Sequence, residues 1–531
     1  MKRRTFLKTS AATATAGATA MTLDAKTYDQ VQGANNRINI AFLGVGGRCQ
    51  QHIDVILAMQ RANANSVRPV AVCDVWDGND RLGRRPDGTF SGRGLNPSAL
   101  RCGLNVNDAV HVNKDYRRII GLREVDAVCI ATPDHWHAKM CIDAAANGKH
   151  IYCEKPMTKT IYEAHAVVDA VRRANVVMTV GVQWMADPSL RRANEMIRRG
   201  DIGHVAQAQT SYYRNSLVGQ WRYYPLTQDM NPTTINWDLF LGHEFSVENG
   251  VPLAPRMPFD RAIFAQWRCY WNFGGGMFTD LFVHRVTRLI SAMGVRYPAR
   301  VVGGGGIYLE YDGRDVPDVA TIVADYEEGC QLLITATMIN DHPIEEVIRG
   351  RTATVRFGSK QIMREGRPVT DWGYDVIPQA ATNRPAQPGQ PVQRDAVWHG
   401  NGISEAQSGT AIWENFLSCV RARNRDTFCT PELGAAAFTT VAMGVQSYRQ
   451  GQVLFWDRER RRPVVGDASW ATNLERRSRE RGRPTQIIGW TGETRGSTLE
   501  PPDYQRLGGP WTNGQDPARP APGGSGGGNE E

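Results

Sequence analysis

The stretch that decides the fold is Asn36–Cys49, which reads NRINIAFLGVGGRC. A short apolar run ends in glycines, and QQHIDVILAMQ follows with the apolar spacing of a helix. A strand, a glycine turn and a helix in this order are typical of a dinucleotide-binding sheet, although Cys49 stands where the full fingerprint has a third glycine. Small residues let the backbone approach a pyrophosphate, and the helix N-terminus offers free N–H groups. The predicted cofactor-binding residues of this turn are Gly44, Gly46, Gly47 and Arg48.

The same alternation continues along the first half of the chain. Apolar, strand-like runs at VRPVAVCDV, VDAVCIATP, KHIYCEKP and VVMTVGVQ alternate with helical segments such as WHAKMCIDAAANG and TIYEAHAVVDAVRRAN. This pattern predicts a parallel, doubly wound α/β sheet over residues 37–186. Asp74 ends the second strand, where its carboxylate could accept hydrogen bonds from ribose hydroxyls and would repel a 2′-phosphate. The sequence therefore favours NAD over NADP.

Size and charge narrow the class of protein. The chain has 531 residues, enough for two or three domains, and 41% hydrophobic residues with 22% charged ones are typical of a globular protein. Of the net charge of +8, four positive charges lie in the first eight residues, and many of the others lie in DRERRRPVV and LERRSRERGRP. Such a run is a solvated, locally paired segment more often than a nucleic-acid patch. We expect no nucleic-acid partner.

The N-terminus, MKRRTFLKTSAATATAGATA, has the layout of a bacterial signal peptide. The pair Arg3 and Arg4, followed by Phe-Leu-Lys, resembles the twin-arginine type, whose export machinery carries proteins that have already folded. The alternative is an N-terminus that contains two arginines by chance. We expect an exported, periplasmic protein without stable membrane insertion, because the apolar run is too short to span a bilayer.

The ten cysteines give no sign of a metal site or of a disulfide framework. Cys73, Cys129 and Cys153 lie in or at the end of apolar runs, and none belongs to a C-x-x-C pair. We interpret them as buried thiols, which suits a protein that folds in a reducing cytoplasm.

Four segments together resemble the glucose–fructose oxidoreductase/inositol dehydrogenase (Gfo/Idh/MocA) family over about residues 36–450. They are GVGGR, ATPDHWHA, GKHIYCEKPMTKT and WNFGGGMFTDLFVH, in this order. The resemblance implies an N-terminal Rossmann domain and a C-terminal α+β domain with a large, mostly antiparallel open sheet. The predicted divisions are a signal peptide and linker at 1–35, the NAD(P)-binding domain at 36–186, a substrate and oligomerisation domain at 187–455, and a largely disordered tail at 456–531.

The resemblance also implies roles for single residues. Asp280 and His284 lie four positions apart, so that on a helix both would face one way. A hydroxyl that loses a hydride must also lose a proton, and either Lys155 or His284 could be the base. The implied catalytic residues are Lys155, Asp280 and His284; further cofactor contacts are Thr132, Pro133, His137, Glu154, Lys155 and Gln183; substrate contacts are Lys155, Arg268, Trp271, Asp280 and His284. Thr287 stands where many relatives have an aspartate, which bears on substrate choice.

Three functions remain open at the level of sequence. The first is an exported oxidoreductase that acts on a sugar or cyclic polyol with tightly bound NAD(P) and assembles as a homo-oligomer through its C-terminal sheet. The second is a glycosidase that oxidises its sugar transiently, with no net redox change. The third is a non-catalytic sugar- or nucleotide-binding protein, which the presence of all three implied catalytic residues disfavours.

Overall fold

The computed structural model describes residues 37–79, 92–379, 395–466 and 471–472. The predicted signal peptide and most of the predicted tail lie outside these residues.

The first sheet is parallel throughout, with strand order β3-β2-β1-β4-β5-β6, as the sequence predicts. The chain reverses its direction of travel between β1 and β4, the switch point at which sheets of this class bind ligands. All four residues of β4 and all four of β6 are buried, because helices cover both faces. The strands are β1 Ile38–Leu43, β2 Val67–Cys73, β3 Val112–Asn113, β4 Ala127–Ile130, β5 His150–Glu154 and β6 Met178–Gly181.

Five helices follow the strands of this sheet. The last of them begins with a capping box, in which the Thr160 hydroxyl accepts from the Glu163 N–H and the Glu163 carboxylate accepts from the Thr160 N–H. These helices are α1 Gly47–Ala62, α2 Leu95–Arg101, α3 Tyr116–Ile120, α4 Asp134–Ala146 and α5 Ile161–Ala174.

The second sheet is large and mostly antiparallel, as expected from the resemblance, with order β15-β14-β13-β12-β7-β10-β9-β8-β16-β17 and β11 paired to β7. One pair, β7 with β10, is parallel. The strands are β7 Val205–Asn215, β8 Arg300–Gly306, β9 Val319–Tyr326, β10 Cys330–Thr337, β11 Ile339–Asn340, β12 Val347–Gly350, β13 Ala353–Arg364, β14 Arg367–Pro378, β15 Val397–His399, β16 Leu454–Asp457 and β17 Arg462–Val465.

The edge hairpin of this sheet corrects one prediction. The arginine-rich stretch after residue 455 was expected to bury little, yet β16 and β17 pair with each other, and β16 pairs with β8. Trp456 is buried at 7% exposure and stacks on Tyr297, which gives the hairpin an apolar contact inside the charged run.

Within the described residues, seven further helices follow the first sheet. The last of them lies so close to β8 that a Cβ on Gly303 would stand 2.1 Å from the Gly444 carbonyl oxygen, so only glycine fits there. The helices are α6 Pro188–Arg198, α7 Trp237–Leu241, α8 Arg261–Ala265, α9 Gly276–Asp280, α10 Phe282–Met293, α11 Glu405–Ala422 and α12 Pro431–Gln450. Short 3-10 turns lie at Gln183–Ala186 and Trp267–Cys269.

Two further expectations are that the cysteine thiols are buried and that the protein is not stably inserted in a membrane. All ten cysteines lie in the described part of the chain as free thiols, and Cys73, Cys129 and Cys153 are buried, as predicted. Among the described helices, each is too short or too polar to cross a bilayer.

Candidate functional site

Two adjoining clefts lie at the carboxyl ends of the first sheet. We call the first the glycine-turn cleft, because Gly44, Gly46 and Gly47 line it, and the second the lysine cleft, because Lys155 lines it. The second sheet contributes to the lysine cleft from the opposite side. The residues that line both clefts are Arg48, Ala131, Thr132, Tyr224 and Arg268.

The glycine turn leaves room for a bound group. Gly44 has φ +79°, and a Cβ there would stand 2.7 Å from the backbone nitrogen of Thr132, so the position requires glycine. A Cβ on Gly46 would meet no described atom within 4 Å. Gly46 is also the N-cap of α1 and makes no side-chain cap bond, so the first N–H groups of the helix are open to the cleft. These features fit a pyrophosphate at a helix N-terminus.

Asp74 lines the same cleft as Gly46, at the shared edge that the sequence predicts. Its Oδ1 accepts from the Trp76 N–H at 2.9 Å. Burial raises the pKa of Asp74 to about 6, and the backbone hydrogen bonds only partly offset this effect. Trp76 and Phe264, which meet edge to face at 6.0 Å, give this end apolar walls that suit an adenine ring. The cleft therefore fits a dinucleotide.

Glu154 is the centre of a buried network between the clefts. Its Oε1 accepts from Arg48 Nε at 2.8 Å, from His52 Nε2 at 2.9 Å and from Gln183 Nε2 at 2.9 Å. Trp413 donates to His52 Nδ1 at 3.0 Å, so the proton of a neutral His52 lies on Nε2, where it faces the carboxylate. Burial opposes ionisation of Glu154, but the charge of Arg48 and the His52 bond outweigh it and hold the pKa well below its usual range.

Lys155 and Asp280 form an ion pair across the lysine cleft. Lys155 Nζ donates to Asp280 Oδ1 at 2.8 Å and to the Asp280 carbonyl at 2.9 Å, and Arg268 Nε donates to the same Oδ1 at 3.0 Å. Burial opposes ionisation of Asp280, yet the two cations outweigh it, so the pKa of Asp280 lies below its usual value. The carboxylate thus holds both cations at the cleft wall.

His284 lines the same cleft, beside Lys155 and Asp280. Burial, followed by the charge of Lys155, lowers the pKa of His284 well below its usual value, so that the imidazole is neutral near pH 7. Asp280 and His284 do not lie on one continuous helix, because the helix is interrupted at Leu281, between α9 and α10. Both side chains nevertheless line one cavity.

The remaining predicted residues divide into two groups. Thr132 and Pro133 line the glycine-turn cleft, while Gln183 lines the lysine cleft. His137 lies behind the wall, where it is buried and bonded to the carbonyls of Thr132 and Pro156, so it supports the loop from outside the cleft.

Trp271 was predicted as a substrate contact, but it lines neither cleft. Its backbone N–H donates to Asp315 Oδ1 at 2.7 Å, and its ring lies 5.0 Å from the Arg449 guanidinium and near Tyr448.

Sequence reasoning missed one wall of the lysine cleft. Tyr212 and Arg214 lie two positions apart on β7 and so share a face of the strand, a pattern that alternation could have revealed. Arg288 follows His284 by four positions on α10, which is one helical turn. The missed residues of this cleft are Ala131, Asp134, Trp184, Tyr212, Arg214, Trp221, Tyr223, Tyr224, Arg285, Arg288 and Glu405.

Two models of the Gfo/Idh/MocA family match the chain. The first, described as an oxidoreductase family with an NAD-binding Rossmann fold, matches residues 95–182. The second, the C-terminal alpha/beta domain of the same oxidoreductase family, matches residues 252–455. The two ranges together take up more than half of the chain.

Curated relatives match over shorter stretches. Levoglucosan dehydrogenase of Pseudarthrobacter phenanthrenivorans is 39% identical over 101 residues, which is 19% of this chain and 26% of that protein. A glycosyl hydrolase family 109 protein of Shewanella baltica is 27% identical over 200 residues, 35% of this chain and 39% of that protein. The chain therefore matches only about a quarter to two fifths of the length of these relatives.

Solved structures agree over most of the fold. A levoglucosan dehydrogenase in complex with NADH and L-sorbose has a TM-score of 0.54 at 18% identity, covering 79% of this chain and 99% of that one. The WlbA dehydrogenase of Bordetella pertussis, in complex with NADH and UDP-GlcNAcA, has a TM-score of 0.52 at 16% identity over 79% and 99% of the two chains. At this identity the likeness establishes the fold.

Proposed function

Because this chain belongs to the Gfo/Idh/MocA oxidoreductase family, we propose that it moves a hydride between a sugar or cyclic polyol hydroxyl carbon and a nicotinamide cofactor. The observation that carries the proposal is the position of Lys155, Asp280 and His284, which line a cleft continuous with the glycine turn. The similarity to levoglucosan dehydrogenase supports a sugar as the substrate class.

The contacts suggest a different role for each of the three side chains, Lys155, His284 and Asp280. An ammonium has three N–H donors. Lys155 donates two of them to Asp280, which leaves one for a substrate oxygen. His284 is neutral near pH 7 and could take the proton of the reacting hydroxyl. Asp280 positions Lys155 without itself needing to titrate. The nicotinamide, when bound, supplies the hydride acceptor.

The position of Asp74 supports NAD over NADP as the preferred cofactor. The twin-arginine pair at Arg3 and Arg4 supports export after folding. A periplasm holds little free nicotinamide cofactor, so the protein would load its cofactor in the cytoplasm and keep it. We expect protein from the periplasm to release NAD(H) on denaturation, as identified by mass spectrometry, and to turn over without added cofactor. Empty protein that needs a continuous supply of NAD would contradict retention.

The second sheet offers a surface for self-association. Along β10, buried residues alternate with half-buried ones, so one face is covered and the other is only partly covered. The partly covered face includes Val323 of β9 and Leu333 of β10, which are paired in register. We propose that this face joins copies of the chain. Light scattering should then give a multiple of the chain mass, and a monomer at micromolar concentration would refute the assembly.

Replacing Lys155 tests the leading proposal. Lys155→Ala should abolish NADH formation from sugars while leaving cofactor bound, because Lys155 touches substrate and Asp280, whereas the glycine turn holds the cofactor. Lys139→Ala is the matched control, since Lys139 pairs with Asp143 on α4 outside both clefts. Nearly full activity in Lys155→Ala would remove the assignment. Cofactor binding without reduction by any sugar or polyol would favour the non-catalytic alternative.

A second candidate is a glycosidase that uses its cofactor transiently. The similarity to glycosyl hydrolase family 109 proteins and to an alpha-N-acetylgalactosaminidase of Shewanella oneidensis favours it. A base beside the oxidised carbon could also remove the proton needed for elimination, and His284 could serve for this. Incubation with aryl glycosides separates the two candidates. Release of free sugar with no net change in NADH absorbance would favour the glycosidase, and stoichiometric NADH would favour the dehydrogenase.

A further inference from the structure

The lysine cleft has a wall with surplus positive charge, formed by Arg214, Arg285 and Arg288. Arg285 Nη1 lies 3.1 Å and Arg288 Nη2 lies 3.3 Å from Glu346, so that one carboxylate serves two guanidiniums. Arg214 donates to the Tyr212 hydroxyl at 2.8 Å, and within the described residues no carboxylate forms an ion pair with it. The wall thus has three cations but only one carboxylate that is paired with any of them.

Glu405 does not cancel this surplus. It also lines the cleft but is exposed at the start of α11, and among the described residues no ion pair joins it to Arg214. Solvent screens an exposed charge of this kind. The wall therefore presents guanidinium charge to whatever fills the cleft.

The ring of Tyr212 brings this wall close to the reacting end. The Arg214 guanidinium carbon lies 4.9 Å from the ring centroid and that of Arg285 lies 5.5 Å from it. The His284 ring lies 6.0 Å from the same centroid. The two guanidiniums and the His284 imidazole are therefore grouped around the same tyrosine ring.

Two donors on this wall are unused. Arg285 Nε and Arg288 Nε are both buried, and neither has a hydrogen-bond partner within the described residues. A buried donor without a partner is costly, and a bound acceptor would relieve that cost. Arg288 is only 6% exposed, pairs with Glu346 and stacks on Trp184 at 5.1 Å, so it supports the wall and leaves the more exposed Arg214 and Arg285 to face a ligand.

The phosphates of a dinucleotide do not account for this charge. Gly46 and Gly47, where a pyrophosphate fits, line only the glycine-turn cleft, whereas Arg214 and Arg285 line only the lysine cleft. Two arginines, Arg48 and Arg268, line both clefts, and Arg48 follows the glycine turn directly. The surplus lies on the substrate side.

We infer that the substrate is a sugar that carries an oxyanion, a carboxylate or a phosphate ester, and that Arg214 and Arg285 bind this group. The inference rests on the proposed function, because Lys155 and His284 mark the end at which the hydroxyl reacts. A guanidinium donates two parallel hydrogen bonds to either oxyanion, and such charge-assisted bonds are stronger than neutral ones. A neutral sugar would remove water from the Arg214 guanidinium without supplying a negative charge in its place.

Binding measurements on the full chain test the inference. Calorimetry on protein saturated with NADH gives dissociation constants for a hexuronate, a hexose 6-phosphate and a neutral hexose, because the reduced cofactor cannot accept a hydride from a sugar hydroxyl carbon. We expect one of the two anionic sugars to bind at least tenfold more tightly than the hexose. The sugar that does so shows whether the oxyanion is a carboxylate or a phosphate ester. Arg214→Gln should weaken the binding of that sugar roughly tenfold to a hundredfold and leave the affinity for the neutral hexose unchanged.

Arg199→Gln is the matched control. It removes the same charge at an exposed position, where Arg199 pairs with Asp201 outside both clefts. If Arg214→Gln does not fold, Arg285→Gln and the comparison of the three sugars on the unchanged protein carry the test. Equal affinity for charged and neutral sugars, equal weakening of both by Arg214→Gln, or no binding of either anionic sugar would overturn the inference.

The same samples separate this inference from the proposed function. An anionic sugar that binds through Arg214 but never yields NADH from NAD-loaded protein contradicts the oxidoreductase and leaves the oxyanion site standing. A neutral sugar that yields NADH while both anionic sugars fail to bind contradicts the oxyanion site and leaves the oxidoreductase standing.

Discussion

Asp280→Asn should cost both folding stability and activity, because it leaves two buried cations without their shared anion. The Asp280 side chain is 9% exposed, and those of Lys155 and Arg268 are 12% and 22% exposed. Breaking a buried ion pair costs about 3–5 kcal/mol, so we expect the free energy of unfolding to fall by about 3 kcal/mol. Loss of the anchor for Lys155 should also lower kcat/KM roughly a hundredfold or more.

Asp375→Asn provides a closely matched control on the open sheet. Asp375 also accepts from two cations, Arg356 at 2.9 Å and Lys360 at 2.6 Å, and it lines neither cleft. The side chains of these two cations are 40% and 41% exposed, so water can solvate their charges when the carboxylate is lost. We expect a loss of about 1 kcal/mol and unchanged kcat/KM.

Unfolding in denaturant at several pH values checks the electrostatic origin of the Asp280 effect. The pKa of Asp280 is depressed in the folded protein, so its stabilising contribution is complete above its unfolded pKa of about 4 and is lost as the pH falls below that value. The difference between the original protein and Asp280→Asn should be constant from pH 6 to 8 and should close below about pH 4. Equal effects of Asp280→Asn and Asp375→Asn on stability, with full activity in both, would refute this reasoning.

Three further predictions concern the turn, the cofactor choice and the base. Gly44→Ala should lower the melting temperature, because its Cβ would meet Thr132, whereas Gly46→Ala should keep the melting temperature and weaken NAD binding, since its Cβ enters open space; the reverse pattern would contradict the turn geometry. Asp74→Asn should reduce the preference for NAD over NADP roughly tenfold, and in the unchanged protein the preference should fall below about pH 6 as Asp74 becomes protonated, as fluorescence titrations would record. With His284 as base, log kcat/KM should stay level through pH 6–7, and a His284-dependent limb near pH 6.5 would show that this imidazole is not kept neutral.

The first sheet could be predicted from sequence because its signals are local. The strand β4 is a short apolar run between turn residues, and α5 begins at a threonine–glutamate capping box and ends at Asn175, whose φ is positive. The glycine turn follows its strand directly. None of these features depends on a residue that is distant in the chain.

The two clefts needed contacts that no local pattern encodes. Lys155 and Asp280 lie 125 positions apart, and His52 and Trp413 lie 361 apart, so spacing alone could not pair them. The resemblance to a family identified the first pair but not the second. Trp271 shows the opposite error, because an aromatic residue beside polar ones resembles a sugar platform, yet this ring lies beside Arg449 and Tyr448 and lines neither cleft.

The charge balance of the lysine cleft links the proposed chemistry to the proposed substrate. Asp280 and Glu346 each contact two cations, and Glu154 accepts from Arg48 in the same cleft. Burial and the neighbouring Asp280 raise the pKa of Asp134 well above its usual range, which disfavours a negative charge on this carboxyl. Cations therefore exceed ionised carboxylates around the reacting position. An excess of preorganised positive charge stabilises the negative charge that develops on a hydroxyl oxygen as its proton leaves. The same excess attracts an oxyanion on the sugar, so the residues that would help the reaction would also select its substrate.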